Sequence, residues 1–369
     1  MLMKIAIFSD PHLGYARFEE DSYKQAENAI VDATEKADVI LCAGDIFDTK
    51  VPKLETLKRA VDIFNKAKVP VFAIFGNHER RARDMTNPVH LLEASTNIKL
   101  LHAKSAVFEK NGEKIQIFGM GSVPEEYAEV ALKKSLEEFK GEGAFKILMI
   151  HQSIKELMVY AEEEISMEYL ESLPFDLIIN GHIHETIVKL GGRLLIPGST
   201  VITQLKKEEM AGKGYFLFDT ETKKSEFIDI ECRKFFYEKL KFDDVGGMEI
   251  HEEVARKIAE IKKDNPEAII SLKLEGNLKQ GLSNSDIKLE EFPNVFIENK
   301  MNSQTLGAML EKIRDLRQEN LSVREIALKE LKAKTDGKIS FDSSHLFEKL
   351  LLGTEETIEY LEKEYKKDS

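Results

Sequence analysis

Residues 4–12 read KIAIFSDPH: an apolar, strand-like run, Lys4–Ser9, that stops at Asp10-Pro11-His12. The same event recurs four times further along. Val39–Cys42 runs into Ala43-Gly44-Asp45-Ile46-Phe47-Asp48, and Val69–Phe75 into Gly76-Asn77-His78-Glu79. Lys146–Ile150 ends in His151, and Leu177–Ile179 in Asn180-Gly181-His182-Ile183-His184. A further strand pattern lies at Ile115–Phe118, and helical patterns at Asp21–Glu35, Leu54–Lys66 and Glu125–Glu138 separate several of these runs. Strands alternating with amphipathic helices predict the α/β class. In such sheets ligands collect beyond the carboxyl ends of the strands.

Each strand-end group means little alone. A lone Asp-x-His is common, and a single strand-end histidine is more often a satisfied rim residue. Here five of the nine histidines fall at these ends. Glycines 44, 76 and 181 precede the candidate ligands, where a backbone must turn sharply or approach another chain segment closely. Asp, Asn and His without Cys make an oxygen–nitrogen site suited to Mn²⁺, Fe or Zn²⁺. The ligands outnumber what one ion needs, whereas two ions sharing one carboxylate would use them all. Such a pair polarises phosphoryl oxygens and generates a nucleophile at neutral pH.

Composition sets the outer bounds. A chain of 369 residues has room for two or three domains. There is no apolar run long enough to span a bilayer, and MLMKIAIFSD reads as a first strand and not as a signal peptide, so a cytoplasmic location is expected. Cys42 and Cys232 form no CxxC spacing, and Cys42, inside an apolar run, is expected to be a buried structural thiol. A net charge of −13 argues against a generally basic nucleic-acid binder. Residues 51–100 are the exception, with nine Lys/Arg against five acids. One basic patch together with metal ions can still hold a phosphate backbone.

From Thr186 the texture changes to short hairpin-like runs: Thr186–Leu190, Arg193–Ile196, Gly214–Phe218, Ser225–Ile230 and Phe235–Phe242. They predict a second, more antiparallel sheet that finishes the first domain. Gly246-Gly247 marks a boundary, followed by a helix (Glu249–Lys262) and strands at Ala268–Leu274 and Asn294–Ile297. The last stretch reads as helical. Leu306, Met309, Leu310, Ile313 and Leu316 repeat at helical spacing, Ser322–Glu325 reads as a capping box, and His345–Leu352 and Glu355–Tyr365 follow.

The order D-x-H, G-D-x-x-D, G-N-H-E, H, G-H-x-H resembles that of the calcineurin-like metallophosphoesterases. Three further stretches are similar to the SbcD-type nucleases, the "meiotic recombination eleven" family: Asp10–Tyr15, Gly44–Asp48 with Val51-Pro52, and Pro197–Thr200 followed by Lys213-Gly214-Tyr215. The resemblance covers roughly residues 1–240. It implies a sandwich of two sheets flanked by helices, with a small α+β capping domain and C-terminal helices. The expected division is 1–242, 243–300 and 301–369. The activity implied is metal-dependent exonuclease and endonuclease cleavage of DNA in double-strand-break repair, with two Mn²⁺ per subunit. Asp10, His12, Asp45 and His184 would hold one ion, and Asp45, Asn77, His151 and His182 the other. His78 would face the scissile phosphate as the catalytic residue. One departure is Asp48, where many archaeal and eukaryotic members carry His. In that respect the chain looks closer to bacterial SbcD. The carboxylate itself reads either as support for a ligand or as a loop cap.

Arg80, Arg81 and Arg83 follow the His78 loop and are expected to touch the DNA backbone. Leu346, Phe347, Leu350 and Leu351 form an apolar tail face, expected to dock the coiled-coil ABC-type repair ATPase that the resemblance implies as partner. The same resemblance implies a homodimer through Leu54–Lys66 and Pro88–Glu93, with Leu57, Val61, Phe64, Leu91 and Leu92 as candidate contacts. Two other readings compete: a phosphatase or small-molecule phosphodiesterase using the same metals, and a scaffold that mainly tethers DNA ends.

Overall fold

In the computed structural model the opening run is strand β1 (Lys4–Phe8), buried on both faces. The strands that follow it in the first half are β2 (Val39–Ala43), β3 (Val71–Ile74), β4 (Ile98–Leu100), β5 (Lys104–Lys110), β6 (Glu113–Met120) and β7 (Phe145–Ile150). Then come β8 (Leu177–Asn180), β9 (Ile187–Lys189), β10 (Leu194–Ile196), β11 (Gly214–Asp219) and β12 (Lys224–Asp229). Helices α1 (Glu19–Lys36), α2 (Leu54–Phe64), α3 (Val89–Ser95), α4 (Ala128–Leu136) and α5 (Met167–Ser172) lie between them. The structure describes residues 3–82, 85–137, 139–141, 144–158 and 164–303, and thereafter 324–325, 327–328, 331–332, 342–353, 357–358, 360–361 and 363.

Two six-stranded sheets result, in the orders β12-β11-β1-β2-β3-β4 and β5-β6-β7-β8-β10-β9. Strands β1 to β4 are parallel, as are β6, β7, β8 and β10; antiparallel strands finish every edge but that of β4. The period-two alternation of a strand sends side chains to opposite faces. Ile5 and Ile7 therefore meet Leu41, Phe72, Ile117, Met149 and Ile179 in a core between the sheets. Ala6 and Phe8 turn outward against Ala26, Ile30, Ala60 and Phe64 of α1 and α2. On the far side Leu148, Ile150 and Ile178 pack on Leu132 and Leu170 of α4 and α5. Both faces of the central strands are covered, which is why they read as unbroken apolar runs.

The second sheet is not built as the hairpin pattern suggests. The runs after Thr186 are shared out: β9 and β10 join β8, whereas β11 crosses over to pair with β1 and carries β12 on its outer edge. Phe235–Val245 (β13) lies with β14 (Ile269–Leu278) and β15 (Val295–Asn302) in a third, three-stranded sheet. Local periodicity identifies a strand but carries no information about its partner.

The chain divides into two compact units. The first is Met1–Glu238 with Ile258–Ser271 and Phe292–Phe296; the second is Lys239–Lys257 with Leu272–Glu291 and Ile297–Ser369. Helix α6 (Gly247–Asp264) precedes β14, and α7 (Ser343–Leu352) is capped by the Asp342 carboxylate, which accepts from Ser344 N at 2.6 Å. The helical repeat from Leu306 to Leu316 and the serine of the capping box lie outside the described residues. Among the described residues no helix is long and apolar enough to cross a membrane.

The candidate dimer contacts need correction. Phe64 and Leu92 are fully buried in their own core, and Leu57 and Val61 are half-buried against it. Leu54 and Leu91 are the exposed leucines of α2 and α3. The alternation along a helix marks a buried stripe without saying whether its own sheet or a second chain buries it.

Ile179, wholly buried between the sheets, and Val107, 58% exposed on edge strand β5, give the fold its test. Ile179→Ala should cost about 2–5 kcal/mol and Val107→Ala no more than about 0.5 kcal/mol, measured by urea unfolding.

Candidate metal centre

Strands β1, β2, β3, β7 and β8 end on one edge, and the residues that follow them converge there. Reaching that geometry bends the backbone hard. Asp10, His12, Asp45 and His182 all adopt positive φ, at 51°, 44°, 47° and 71°. Such conformations cost of order 1–3 kcal/mol each and persist only where the surroundings fix them. The glycines make room. A Cβ on Gly76 would overlap the Asp45 carboxylate, and one on Gly181 would overlap Ala43 O and the His151 ring. At Gly44 the φ of 95° and the same His151 ring exclude a side chain.

Three overlapping groups have ligand atoms within 4.8 Å of one another: Asp10 with His12 and His184, Asp10 with Asp45 and His151, and His12 with Asp45 and His78. In the first, His12 Nε2 lies 3.1 Å from His184 Nε2 and 3.9 Å from both Asp10 Oδ1 and Asp45 Oδ2. On the other side of Asp45, His151 Nε2 lies 3.3 Å from Asp45 Oδ2 and 3.1 Å from Asn77 Oδ1. Asn77 Oδ1 is in turn 2.8 Å from His182 Nδ1. All seven expected ligands are thus brought together in one cluster of contacts. His78 shares the third group but differs in exposure: its side chain is 39% exposed, that of His12 2%.

Surrounding groups fix these side chains. Asp45 Oδ1 accepts from His78 N at 2.9 Å, and Asp10 accepts from His182 N at 3.2 Å. His151 Nδ1 faces Ala43 O at 2.7 Å, so that nitrogen carries its hydrogen and Nε2 is the free one. Asp48 sits 3.3 Å from His12 Nδ1, and its backbone oxygen is 2.7 Å from His78 Nδ1. It therefore lies against both rings.

Glu79 has a role that the sequence reading did not assign. Fully buried, it accepts from Phe47 N and Gly76 N, each at 2.7 Å, and so ties the loop after β2 to the loop after β3. Its place within Gly76–Glu79 was the available signal.

The electrostatics say what the centre wants. Burial opposes charge on Asp10 and Asp45 alike. It raises the Asp10 carboxyl, whereas His151 and His12 hold that of Asp45 well below the usual range. Burial likewise opposes a charged His151, yet Asp45 and Asp10 overcome it and push that imidazole up to about 10. His182 and His184 go the other way, to about 4 and about 2, chiefly through burial, with His151 and His12 respectively adding to it. Neutral His151 would set lone pairs against lone pairs around Nε2. Either a proton or a cation must lie there. The two carboxylates, the amide oxygen and the neutral imidazoles fit a divalent cation, whose binding would release that proton.

Arg80 and Arg81 line a cavity of about 340 Å³ with Phe75, His90 and His102. Arg80 N bonds to Asn77 O at 3.4 Å, so the loop that carries Asn77 runs on into the wall of this cavity. Arg83 lies outside the described residues. In the tail, Phe347 is buried and Leu346 half-buried, whereas Leu350 and Leu351 are 51% and 58% exposed. The tail face is therefore split between packing and exposure. Cys42 is buried, as expected, and burial pushes its thiol up.

Residues 3–186 match the calcineurin-like phosphoesterase family. Over 262 residues the chain is 32% identical to the DNA double-strand break repair protein Mre11 of Methanocaldococcus jannaschii, covering 65% of this chain and 70% of that one. The protein of the same name from Methanosarcina acetivorans is 28% identical over 346 residues, with 88% and 52% covered. That of Archaeoglobus fulgidus is 27% identical over 287 residues, with 67% and 63% covered. The chain spans from about half to 70% of the length of these relatives.

The packing at Gly181 yields a test. Gly181→Ala should displace His151 and lower Mn²⁺ affinity at least about tenfold, read by isothermal titration of the folded variant. Unchanged affinity would mean that His151 can move without consequence.

Proposed function

This chain belongs to the Mre11 family of DNA double-strand break repair proteins, within the calcineurin-like phosphoesterases, and from that premise we propose that it is a metal-dependent nuclease cutting DNA phosphodiesters. The observation that carries the proposal is the set of overlapping donor groups built on Asp10, His12 and Asp45, with the half-exposed His78 in one of them. Two Mn²⁺ ions suit this set: Asp10, His12, Asp45 and His184 for one, and Asp45, Asn77, His151 and His182 for the other. When bound, they supply Lewis acidity toward the phosphoryl group and a nucleophile at neutral pH.

The chain's own residues supply the rest. His78 Nδ1 faces a carbonyl oxygen and so carries its hydrogen, which leaves Nε2 to give and take a proton. Facing the leaving oxygen, that nitrogen serves as the general acid when the ring carries a second proton there. Arg80 and Arg81, in the one locally basic stretch of an acidic chain, suit the flanking phosphates. Leu54 and Leu91 leave apolar surface for a second copy of the chain, and Leu350 and Leu351 do so for the ATPase partner. The expected division at 1–242, 243–300 and 301–369 assigns nuclease, capping and docking roles along the chain.

His78→Ser should keep Mn²⁺ and DNA binding but lower cleavage of linear DNA about 100-fold or more. Loss of metal would make His78 a ligand. The native protein should cut DNA well above its rate on bis(p-nitrophenyl) phosphate. The reverse preference would favour the small-molecule phosphodiesterase, and DNA binding without turnover would favour the tethering scaffold.

The exposed half of the tail gives a separate test. Leu350→Asp with Leu351→Asp should abolish co-purification with the ATPase and leave manganese-dependent cleavage within about twofold, since surface substitutions of this kind cost little stability. Retained co-purification would place the docking face elsewhere.

A further inference from the structure

The stretch from Pro197 to Tyr215 matches the family's pattern, yet none of the chemistry above uses it. Lys213 is buried, with its side chain 5% exposed, and pairs with the equally buried Glu209. Its ammonium also donates to Ser199 Oγ at 3.0 Å. Glu209 Oε1 accepts from Gln204 N at 2.9 Å, from Thr203 N at 3.2 Å and from Thr203 Oγ1 at 3.3 Å. Thr203 is held from the other side too, where Tyr15 Oη donates to its carbonyl at 2.9 Å. Its hydroxyl lies 2.5 Å from His184 Nδ1.

The donor count sets a direction for this chain of bonds. A carboxylate held against a buried ammonium only accepts, so the Thr203 hydroxyl hydrogen goes to Glu209. His184 then meets the lone pairs of Thr203 and must supply the hydrogen itself, from Nδ1. The bare nitrogen is Nε2, the atom 3.1 Å from His12 Nε2 and 3.7 Å from Asp10 Oδ1. Partners that orient a metal-binding imidazole this way are usually single carboxylates or carbonyls. Here a threonine intervenes.

We propose that Glu209, acting through Thr203, is a positioning residue that locks His184 in its Nδ1–H form and presents Nε2 to a metal ion, while Lys213 keeps Glu209 an acceptor. This rests on the reading of His184 as a metal ligand. A buried ion pair on its own contributes little net stability, so the role of this one lies in what it orients.

Thr203→Val tests it while leaving the buried ion pair in place. Titration of the chelator-stripped full chain with Mn²⁺, followed by electron paramagnetic resonance, should show one of two sites weakened about 10–100-fold and the other unchanged. Thr203→Ser should restore it. Imidazole ¹⁵N spectra of the stripped protein should show the Nδ1–H form of His184 in the native chain and in Thr203→Ser, and a tautomer mixture in Thr203→Val. In a His184→Ala background Thr203→Val should add no further loss. The proposal is overturned by unchanged affinity and tautomer in Thr203→Val, or by an equal loss in the His184→Ala background. His184→Ala that still binds both ions overturns instead the ligand assignment beneath it.

Discussion

Two carboxylates without solvent, Asp10 and Asp45, govern this molecule. Desolvating one such charge costs several kcal/mol, and two side by side also repel. Positive charge must therefore enter the gap between the sheets' ends, and everything nearby is arranged to admit it. Backbone amides of His78 and His182 point at the two carboxylates. The neutral imidazoles of His182 and His184 offer lone pairs instead of competing charge. The left-handed backbone at four of these residues persists because close packing and hydrogen bonds fix it.

Much of this was legible in sequence because ligands must sit where strands stop. A run such as Val39–Cys42 followed by Gly44-Asp45 announces both the strand and its functional end, and every one of the seven metal-ligand candidates was found this way. Strand partners were not legible. Nothing in Gly214–Phe218 says that it pairs with β1 and not with the hairpin before it, since alternation is a property of one strand and pairing of two. The same limit applies to Leu91 and Leu92, adjacent in sequence yet on opposite sides of the surface.

The supporting glutamates were the harder case. Glu79 and Glu209 look like members of ordinary charged stretches, as most glutamates are. Each is buried because backbone N–H groups that no helix or sheet uses converge on it. Those groups are orphaned by loop geometry, and loop geometry is what local patterns describe least well. Asp48 is intermediate: its neighbours in sequence were informative, but its contact with both His12 and His78 needed the fold.

The position of β1 inside its sheet has a consequence for biosynthesis. It lies between β2 and β11, so the fourth and the 219th residues stand opposite each other in the sheet. At about 5–20 residues per second a ribosome needs roughly 10–45 s to supply that partner. For that time one edge of the strand that leads to Asp10 is open to any passing extended chain. The nascent polypeptide also lacks His182 and His184 for most of the interval. Until then the cluster of donors is incomplete, and that cluster and the closed sheet are completed one shortly after the other.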